Sequence, residues 1–507
     1  MPYVIPYVAA AIETIGVGAS TATFIATVAV TLAEAAAVSL LQQALFGPKT
    51  PDAQAMKQVI SQAVAPRRRS YGRVCDGGVR AFMHDRNGYL YQLIMAQQGE
   101  IDAFEGHFLA GQEVTLDADG FVTTPTQYVL DYKDVYIETR TGAAVSSVYP
   151  MLKSGFDPRD FGPGAATGWS AAGGFPELWD DTCQLNGIAT TLVVLRSPEA
   201  QNFTKVFPAG LPAYKSKRRG CKVWDPTDPA QDRSNPATWK WTMNGPAIVL
   251  DIITHADGML RIPDSMILPA IDVWKSQIAV ANTLRALKNG GSEPWYQLSG
   301  TYQLTDQPRE LLPKLLVPMD ARLYLRADGA VALDVGQWVE PGLTISDANI
   351  VSYAGLSRGR QSADIRNEIR AQYVSPDHLF TQQEADPLLN EASIDVDGLK
   401  TTALDCTWSP SHAQTRFRMK IEKYRQDPDG WCGSIVTDAY GLNFLTPEVD
   451  GRRRRNIRFQ IAELGIDDTF EIQSFGLDPK TGQCTFSVIA MGADAFTWNA
   501  AADEGTA

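Results

Sequence analysis

Tight-turn dipeptides between β-rich runs constrain the fold of this chain more than any other feature. Asn87-Gly88 separates the runs 79–83 and 89–95, and Asp119-Gly120 and Asp328-Gly329 mark two further hairpins. Asn-Gly and Asp-Gly supply the positive φ angles that a two-residue hairpin turn requires. From residue 67 onward, the sequence therefore predicts antiparallel sheets joined by short turns.

The length and composition predict several compact domains. The chain has 507 residues, which is too long for one hydrophobic core, and its 44% hydrophobic residues with 41 Gly and 30 Pro are typical of an ordered, turn-rich protein. The net charge of -13 has the wrong sign for a surface that grips nucleic acid, because such surfaces cluster Lys and Arg against phosphates. The predicted segments are 1–48, an apolar N-terminal helical segment; 67–140, a first β module; 141–240, a β-rich module with a long loop; 241–376, an α/β module; 377–500, a C-terminal β module with one helix; and 501–507, a tail.

Residues 14–33 form an uncharged run rich in Ala, Val and Thr between Glu13 and Glu34. The run is long enough to span a bilayer. It lacks the positively charged flank and the cleavage site of a signal peptide, and its Ala and Thr content makes it only weakly apolar. We expect a buried or oligomer-packing helix, and the alternative is a membrane span.

The remaining periodicities predict an α+β, mainly β chain. Apolar residues at three- and four-residue spacing indicate four helices. These are one capped by Asn244 with an early Pro246, one carrying Trp274, Ile278, Ala281, Leu284 and Leu287 and stopped at 289–291, one capped by Asp306, and one opened by Ser409-Pro410. Residues 187–195, 469–475 and 484–489 are predicted strands, and the Gly-, Pro- and Ser-rich residues 142–174 are predicted to form an exposed loop or an excursion between two strands.

The cysteines and histidines carry no metal-binding or redox motif. They show no C-x-x-C, H-E-x-x-H or H-x-H spacing, so we predict reduced, isolated thiols and structural imidazoles. The residues concerned are Cys75, Cys183, Cys221, Cys406, Cys432, Cys484, His84, His107, His255, His378 and His412. The alternative is a disulfide or a cluster assembled from cysteines far apart in the sequence.

The sequence also predicts no catalytic residue, no cofactor and no enzymatic activity. It contains no P-loop, no dinucleotide fingerprint and no nucleophile elbow. The carboxylate pairs Asp180-Asp181 and Asp467-Asp468 could act on a glycan only within one cleft, and adjacent side chains usually point apart.

Three basic runs stand out in this acidic chain. They are residues 67–69, 215–219 and 452–455. Arginine pairs readily with carboxylates across an interface, so the runs are predicted either to face a neighbouring subunit or to lie in solvated loops. Binding to DNA is the third alternative.

Five segments in a fixed order resemble the tail tip hub family of long-tailed phages, the lambda J type. The segments are Gly220-x-x-Val223-x-Asp225-Pro226, the Asn244 helix to His255, residues 300–308, residues 366–376, and closing strands with Phe470 and Trp498. The resemblance covers residues 67–498. It departs from the family at Gly245, which separates Asn244 from Pro246.

The resemblance implies a non-enzymatic, trimeric central hub at the tail tip of a virion or gene-transfer particle. Members carry tail-tube-like antiparallel β-barrels and small α/β domains, join the distal tail protein ring to the tip, and contact the tape measure protein and other tail tip or fibre proteins. By resemblance, the hub gates DNA that passes through its channel without specific binding, and it touches the host envelope transiently. The N-terminal segment 1–48 would then either plug the lumen of the hub or lie close to the host membrane.

Two alternatives remain open at this point. One is a receptor-binding tip protein whose loop at 142–174 reaches the cell surface. The other is a cell-wall-degrading hub enzyme, which would need a carboxylate pair in a cleft. The long C-terminal extension that carries receptor recognition in the lambda type is not expected here, and this favours the hub.

Overall fold

The computed structural model of the chain describes residues 65–506, except 131, 158–168, 170, 209, 259, 361–363, 428 and 448–450. The predicted N-terminal helical segment, 1–48, lies outside the described residues. Within them, no helix combines the length and the apolar character that crossing a membrane requires.

Strands dominate the described chain, so the α+β, mainly β prediction is confirmed. The strands of the first half are β1 (Arg68–Tyr71), β2 (Arg73–Asp76), β3 (Val79–Arg86), β4 (Tyr89–Gln98), β5 (Ile101–Leu109), β6 (Gln112–Leu116), β7 (Val122–Thr124), β8 (Val135–Arg140), β9 (Ile188–Arg196), β10 (Tyr214–Val223) and β11 (Lys240–Trp241). Those of the second half are β12 (Leu284–Ala286), β13 (Ser292–Pro294), β14 (Gly300–Gln303), β15 (Arg322–Leu325), β16 (Val331–Asp334), β17 (Thr344–Ser346), β18 (Ile350–Arg358), β19 (Glu368–Ser375), β20 (Thr381–Glu384), β21 (Leu388–Leu389), β22 (Thr401–Cys406), β23 (Trp431–Thr437), β24 (Asn456–Ile461), β25 (Ile466–Leu477) and β26 (Cys484–Ala490).

The helices are mostly short and lie between the sheets. They are α1 (Pro150–Lys153), α2 (Phe203–Val206), α3 (Gly245–Thr254), α4 (Asp264–Ile267), α5 (Ile271–Asn282), α6 (Pro308–Leu316), α7 (Glu391–Asp397), α8 (His412–Arg425) and α9 (Ala500–Asp503). Single 3-10 turns occur at Thr126–Val129, Pro236–Thr238, Leu268–Ala270, Val317–Met319, Asp347–Asn349, Pro376–His378, Ala439–Leu445, Ala462–Leu464 and Ala493–Phe496.

Two antiparallel sheets form the N-terminal part of the fold. One has the order β11-β10-β5-β6-β7, with β2 also paired to β10, and the other has the order β3-β4-β9-β8. Alternating apolar residues of both sheets, such as Ile94, Leu109, Val193 and Tyr214, share one buried core. The hairpins predicted at Asn87-Gly88 and Asp119-Gly120 are confirmed, because β3 pairs with β4 and β6 with β7.

The segment 142–174 is an excursion between β8 and β9, as one of the two predicted alternatives has it, and the exposed-loop alternative is wrong for its buried side chains. In its described part, the side chains of Leu152 and Trp169 are fully buried against the face of the β3-β4-β9-β8 sheet that carries Tyr91. Glycines and prolines bend this segment, but its aromatic and aliphatic side chains bury enough apolar surface to fold back on the sheet.

The C-terminal part is built on a six-stranded sheet of order β17-β24-β25-β26-β23-β18. Phe459, Phe470 and Phe486 pack on one face of this sheet. The predicted strands 469–475 and 484–489 are confirmed as parts of β25 and β26, which pair antiparallel. A smaller sheet joins β19 to β20, β21 and β22, and α8 packs against β19.

The largest core lies between these parts and is formed mainly by helices. It combines α3, α5 and α8 with the β15–β16 hairpin, whose turn at Asp328-Gly329 is as predicted. The cap at Asn244 is also confirmed, because its Oδ1 accepts a hydrogen bond from the amide of Ala247 at 3.1 Å. The fourth predicted helix is α8, which begins after the capping residue Ser411.

Two helix predictions are wrong in their limits. The second helix stops at Asn282, because Thr283 is extended and Leu284 enters a hairpin whose turn contains residues 289–291. The third helix begins at Pro308 without a side-chain cap, and the carboxylate of Asp306 instead accepts the amide of Gln303 at 2.9 Å.

The predicted segment limits stay predictions. Strand pairing crosses three of them, because β10 pairs with β5 across residue 140, β1 pairs with β14 across residue 240, and β18 pairs with β23 across residue 376.

Candidate functional site: the buried ionic junctions

The three basic runs contribute their arginines to ion pairs inside the chain. Arg68, Arg69, Arg218 and Arg455 are almost completely buried and each contacts a carboxylate. The prediction that these runs lie in solvated loops or face another subunit is therefore wrong for these four residues. They form two clusters, which we call the N-terminal junction and the C-terminal junction.

The N-terminal junction is centred on Asp76 of β2. Its Oδ1 accepts hydrogen bonds from the Nη2 atoms of Arg68 at 2.5 Å and Arg218 at 2.8 Å. The hydroxyl of Thr301 donates to Asp76 Oδ2 at 3.1 Å. Because the four residues belong to β2, β1, β10 and β14, one carboxylate ties the β1–β14 pair to the N-terminal sheet. Burial alone would raise the pKa of Asp76, but Arg218 and Arg68 hold it below its ordinary value.

Arg69, next along β1, forms the second half of this junction with α3. Its Nε donates to the hydroxyl of Tyr71 at 3.1 Å, and that hydroxyl donates to Asp251 Oδ2 at 2.6 Å. The Arg69 guanidinium also lies 3.5 Å from Asp251 Oδ2, and its Nη1 lies 2.7 Å from Nε2 of His255. Strand β1 is thus attached to the C-terminal half of α3 through polar side chains.

Gly220 lets β10 pass β1 at this junction. A β carbon at Gly220 would lie 2.3 Å from the carbonyl oxygen of Ser70, and the amide of Gly220 donates to the carbonyl of Gly72 at 2.8 Å. Only glycine fits so close to another backbone. The glycine of the Gly220-to-Pro226 motif therefore has a packing role.

The C-terminal junction gathers charges in or next to four elements, which are β15, α8, β24 and β25. Asp320, which precedes β15, accepts hydrogen bonds from Arg425 of α8 at 2.6 and 2.7 Å and a further one from Arg455, next to β24. Glu471 of β25 accepts from Arg425 at 2.7 and 2.9 Å and from Arg322 of β15 at 2.7 Å. Both carboxylates are therefore shared, and Arg425 links them.

In this junction, a carboxylate that contacts a guanidinium group directly is stabilised in its ionised form. Burial opposes ionisation, but Arg425 and other arginines hold the pKa of Asp320 and of Glu471 well below their ordinary values. Asp334 behaves differently. Its contacts with Arg455 and Arg452 are 3.5 and 3.8 Å, so burial prevails and raises its pKa.

Both junctions couple elements that are distant in the sequence. Asp320 and Arg455 are 135 residues apart, and Arg69 and Asp251 are 182 residues apart. Buried charged hydrogen bonds require a specific geometry and penalise any displacement that separates a charge from its partner. The arrangement can hold separate sheets in one fixed orientation. The role that it supports is therefore structural.

The histidines that the sequence singles out lie apart from one another. His107 Nδ1 lies 2.8 Å from the Tyr214 hydroxyl, and burial lowers the pKa of His107 to about 4. His378 contacts Ser375, His412 packs on the ring of Tyr373, and His84 is exposed. Across the described ranges, no group of three His, Cys, Asp or Glu side chains is placed to hold a metal ion.

The six thiols are free in the structure. Cys75, Cys221, Cys406 and Cys484 are buried, and Cys183 and Cys432 are partly exposed.

The carboxylate pairs do not share a cleft. Asp180 accepts the amide of Thr182 at 2.8 Å, and Asp181 pairs with Lys153 at 2.8 Å. Asp467 pairs with Arg458 at 2.8 Å on the surface of the C-terminal sheet.

No protein-family model and no curated protein matches the sequence, but a comparison with solved structures finds a chain with a similar fold. A chain described as the virion of a native gene transfer agent particle is similar over 89% of this chain and 91% of its own length, with 11% identity and a TM-score of 0.51. The two chains share a fold at this level. Weaker similarities extend to the 43 kDa tail protein of prophage MuSo2 from Shewanella oneidensis (10% identity, 85% and 93% covered, TM-score 0.27) and to a tail protein from Neisseria meningitidis MC58 (10%, 84% and 96%, 0.28).

Proposed function

We propose that this chain is a structural protein of a phage tail or a related gene-transfer particle, and that three copies form the central hub of the tail tip. The observation that carries the proposal is the likeness to the gene transfer agent virion chain, which extends over 89% of this chain and 91% of the other. A likeness over nearly the whole length concerns the arrangement of all sheets and not one common module.

The buried junctions support a mechanical role. A hub must keep its modules aligned while it holds a ring of subunits, because a change at one module has to move the others with it. In this chain, Asp76 and Asp320 each bind arginines from several elements. These contacts would let the protein move as one body.

The proposal assigns the partners that the sequence resemblance implies. The hub would bind the distal tail protein ring, the tape measure protein, and other tail tip or fibre proteins, and it would touch the host envelope transiently. The net charge of -13 suits a channel through which DNA passes without being held.

We assign no catalytic activity to the chain. The carboxylates that would have to cleave a glycan form surface ion pairs instead, since Asp181 binds Lys153 and Asp467 binds Arg458. A peptidoglycan-release assay with the purified protein tests this assignment, and release above that of a heat-inactivated sample would overturn it.

The hub role is tested by the mass of the purified chain in solution, measured by light scattering with and without the distal tail protein. The expected mass is three times 55.3 kDa, either for the chain alone or once the ring is added. A monomer that does not bind the distal tail protein would contradict the proposal and favour a receptor-binding tip protein.

A further inference from the structure

His255 at the end of α3 has hydrogen-bond donors against both ring nitrogens. Nη1 of Arg69 lies 2.7 Å from Nε2, and the backbone amide nitrogen of Asp257 lies 3.0 Å from Nδ1. Arginine has no acceptor atom, so Nε2 must supply a lone pair to make a hydrogen bond with it. The imidazole therefore has to remain neutral with its proton on Nδ1 for the Arg69 contact to exist.

Protonation of His255 removes this contact. A neutral imidazole has one lone pair and can satisfy one of the two donors, whereas the imidazolium has none. The added proton would also place a second positive charge 2.7 Å from the Arg69 guanidinium. Because Arg69 is buried, solvent screens this repulsion poorly.

The other charged groups around His255 only partly offset this repulsion. Asp251 of α3 and Asp257 in the following turn both favour the imidazolium, but Asp251 already accepts the hydroxyl of Tyr71, and Asp257 accepts the side-chain amide of Gln98. Tyr71, and Cys221 of β10, lie near Arg69, and burial raises the pKa of both, so they add no negative charge below neutral pH.

We propose that His255 and Arg69 form an acid-sensitive latch that strengthens the attachment of β1 to α3 at neutral pH and weakens it when His255 gains a proton, while the Tyr71–Asp251 hydrogen bond and the pairing of β1 with β14 remain. Strand β1 is the first strand among the described residues. This inference concerns contacts within the chain and holds whether or not the protein is a tail hub.

The sign of the pH dependence follows from the geometry. Burial and Arg69 lower the pKa of His255 below its ordinary value of 6.5. The unfastened state therefore binds more protons than the fastened one. The latch has its full strength above pH 6.5 and weakens as the pH falls towards the lowered pKa. Each pH unit in that window weakens the latch by at most about tenfold.

Hydrogen–deuterium exchange of the full chain at pH 7.5, 6.5 and 5.5 tests the latch. After correction for the intrinsic pH dependence of exchange, peptides covering Arg68–Tyr71 should lose protection by up to about fivefold between pH 6.5 and 5.5. His255→Gln, which stays neutral, should abolish this loss, and the exposed control His84→Gln should retain it. Unchanged protection in the wild type, or an equal loss in His255→Gln, would overturn the proposal.

A second measurement needs no variant. Exchange of the imidazole C2 proton, followed by mass spectrometry of the wild-type protein, reports the pKa of each histidine. The latch requires the pKa of His255 to lie below that of the exposed His84. A pKa for His255 equal to or above that of His84 would overturn the proposal even if His255→Gln failed to fold.

Discussion

Replacing Asp320 by Asn removes the negative charge that three arginines share in the C-terminal junction. The carboxylate lies 2.6 Å from the guanidinium of Arg425 and 3.5 Å from that of Arg418, and it also binds Arg455. The Asn side chain has nearly the same volume, so the substitution leaves the packing in place. What it changes is the charge balance of a site with almost no access to water.

The expected cost is large because the arginines stay buried without their common partner. Removing one member of a buried ion pair typically destabilises a protein by about 3–5 kcal/mol. Glu471 still accepts from Arg425 and Arg455, so we expect the lower half of this range. If the described chain unfolds as one cooperative unit, about 3 kcal/mol corresponds to a fall in Tm of about 3 °C.

Differential scanning calorimetry of the full chain at pH 7.5 measures the effect. The matched control is Asp467→Asn, which makes the same chemical change in a pair with Arg458 whose side chains are 53% and 47% exposed. Exposed pairs contribute little, so the control should unfold close to the wild-type temperature. If Asp320→Asn unfolds at the same temperature as Asp467→Asn, the Asp320 carboxylate does not hold the modules together.

Three further predictions can be checked by denaturant unfolding. Gly220→Ala should destabilise the chain by more than about 2 kcal/mol, because its β carbon would lie 2.3 Å from the carbonyl oxygen of Ser70; an unchanged midpoint would show that β10 and β1 can separate without cost. Asn244→Ala should cost about 1–2 kcal/mol through loss of the α3 cap and of the hydrogen bonds that Nδ2 donates to Ile278 and Asn282, and an unchanged midpoint would contradict the role of the cap. The stabilisation from Asp320 and Glu471 should be complete above their ordinary pKa values of 3.8 and 4.5 and should decline as the pH falls below them. The unfolding midpoint of the wild type should therefore fall more steeply below pH 4.5 than that of Asp320→Asn. Equal slopes would contradict the lowered pKa values.

Local chemistry in the sequence was enough to predict the hairpins and the Asn244 cap. The turn at Asn87-Gly88 requires positive φ at both residues, and the structure gives 53° and 82°. The same local reasoning misplaced the end of α5. Leu284 continues the helical spacing, but it is 65% exposed in a hairpin, because the extended Thr283 and the turn at 289–291 together outweigh the apolar periodicity.

The junctions could not be predicted because their partners are far apart along the chain. Nothing in the run 452–455 indicates that Arg455 will meet Asp320, which lies 135 residues away. In the run 215–219, alternate burial along β10 places Arg218 inside and Arg219 towards Asp102 at the surface. A strand prediction for this run would have indicated that alternate basic residues point inward. The sequence supplies no signal for the carboxylate that each one meets.

Electron cryomicroscopy of particles purified from cells that produce this chain tests the proposed hub role most directly. Three copies should form a ring at the distal end of the tail, with β1 and β10 crossing at Gly220 and Asp320 bound to Arg425. Finding the chain in the head or along the tail shaft, or its absence from purified particles, would contradict the account.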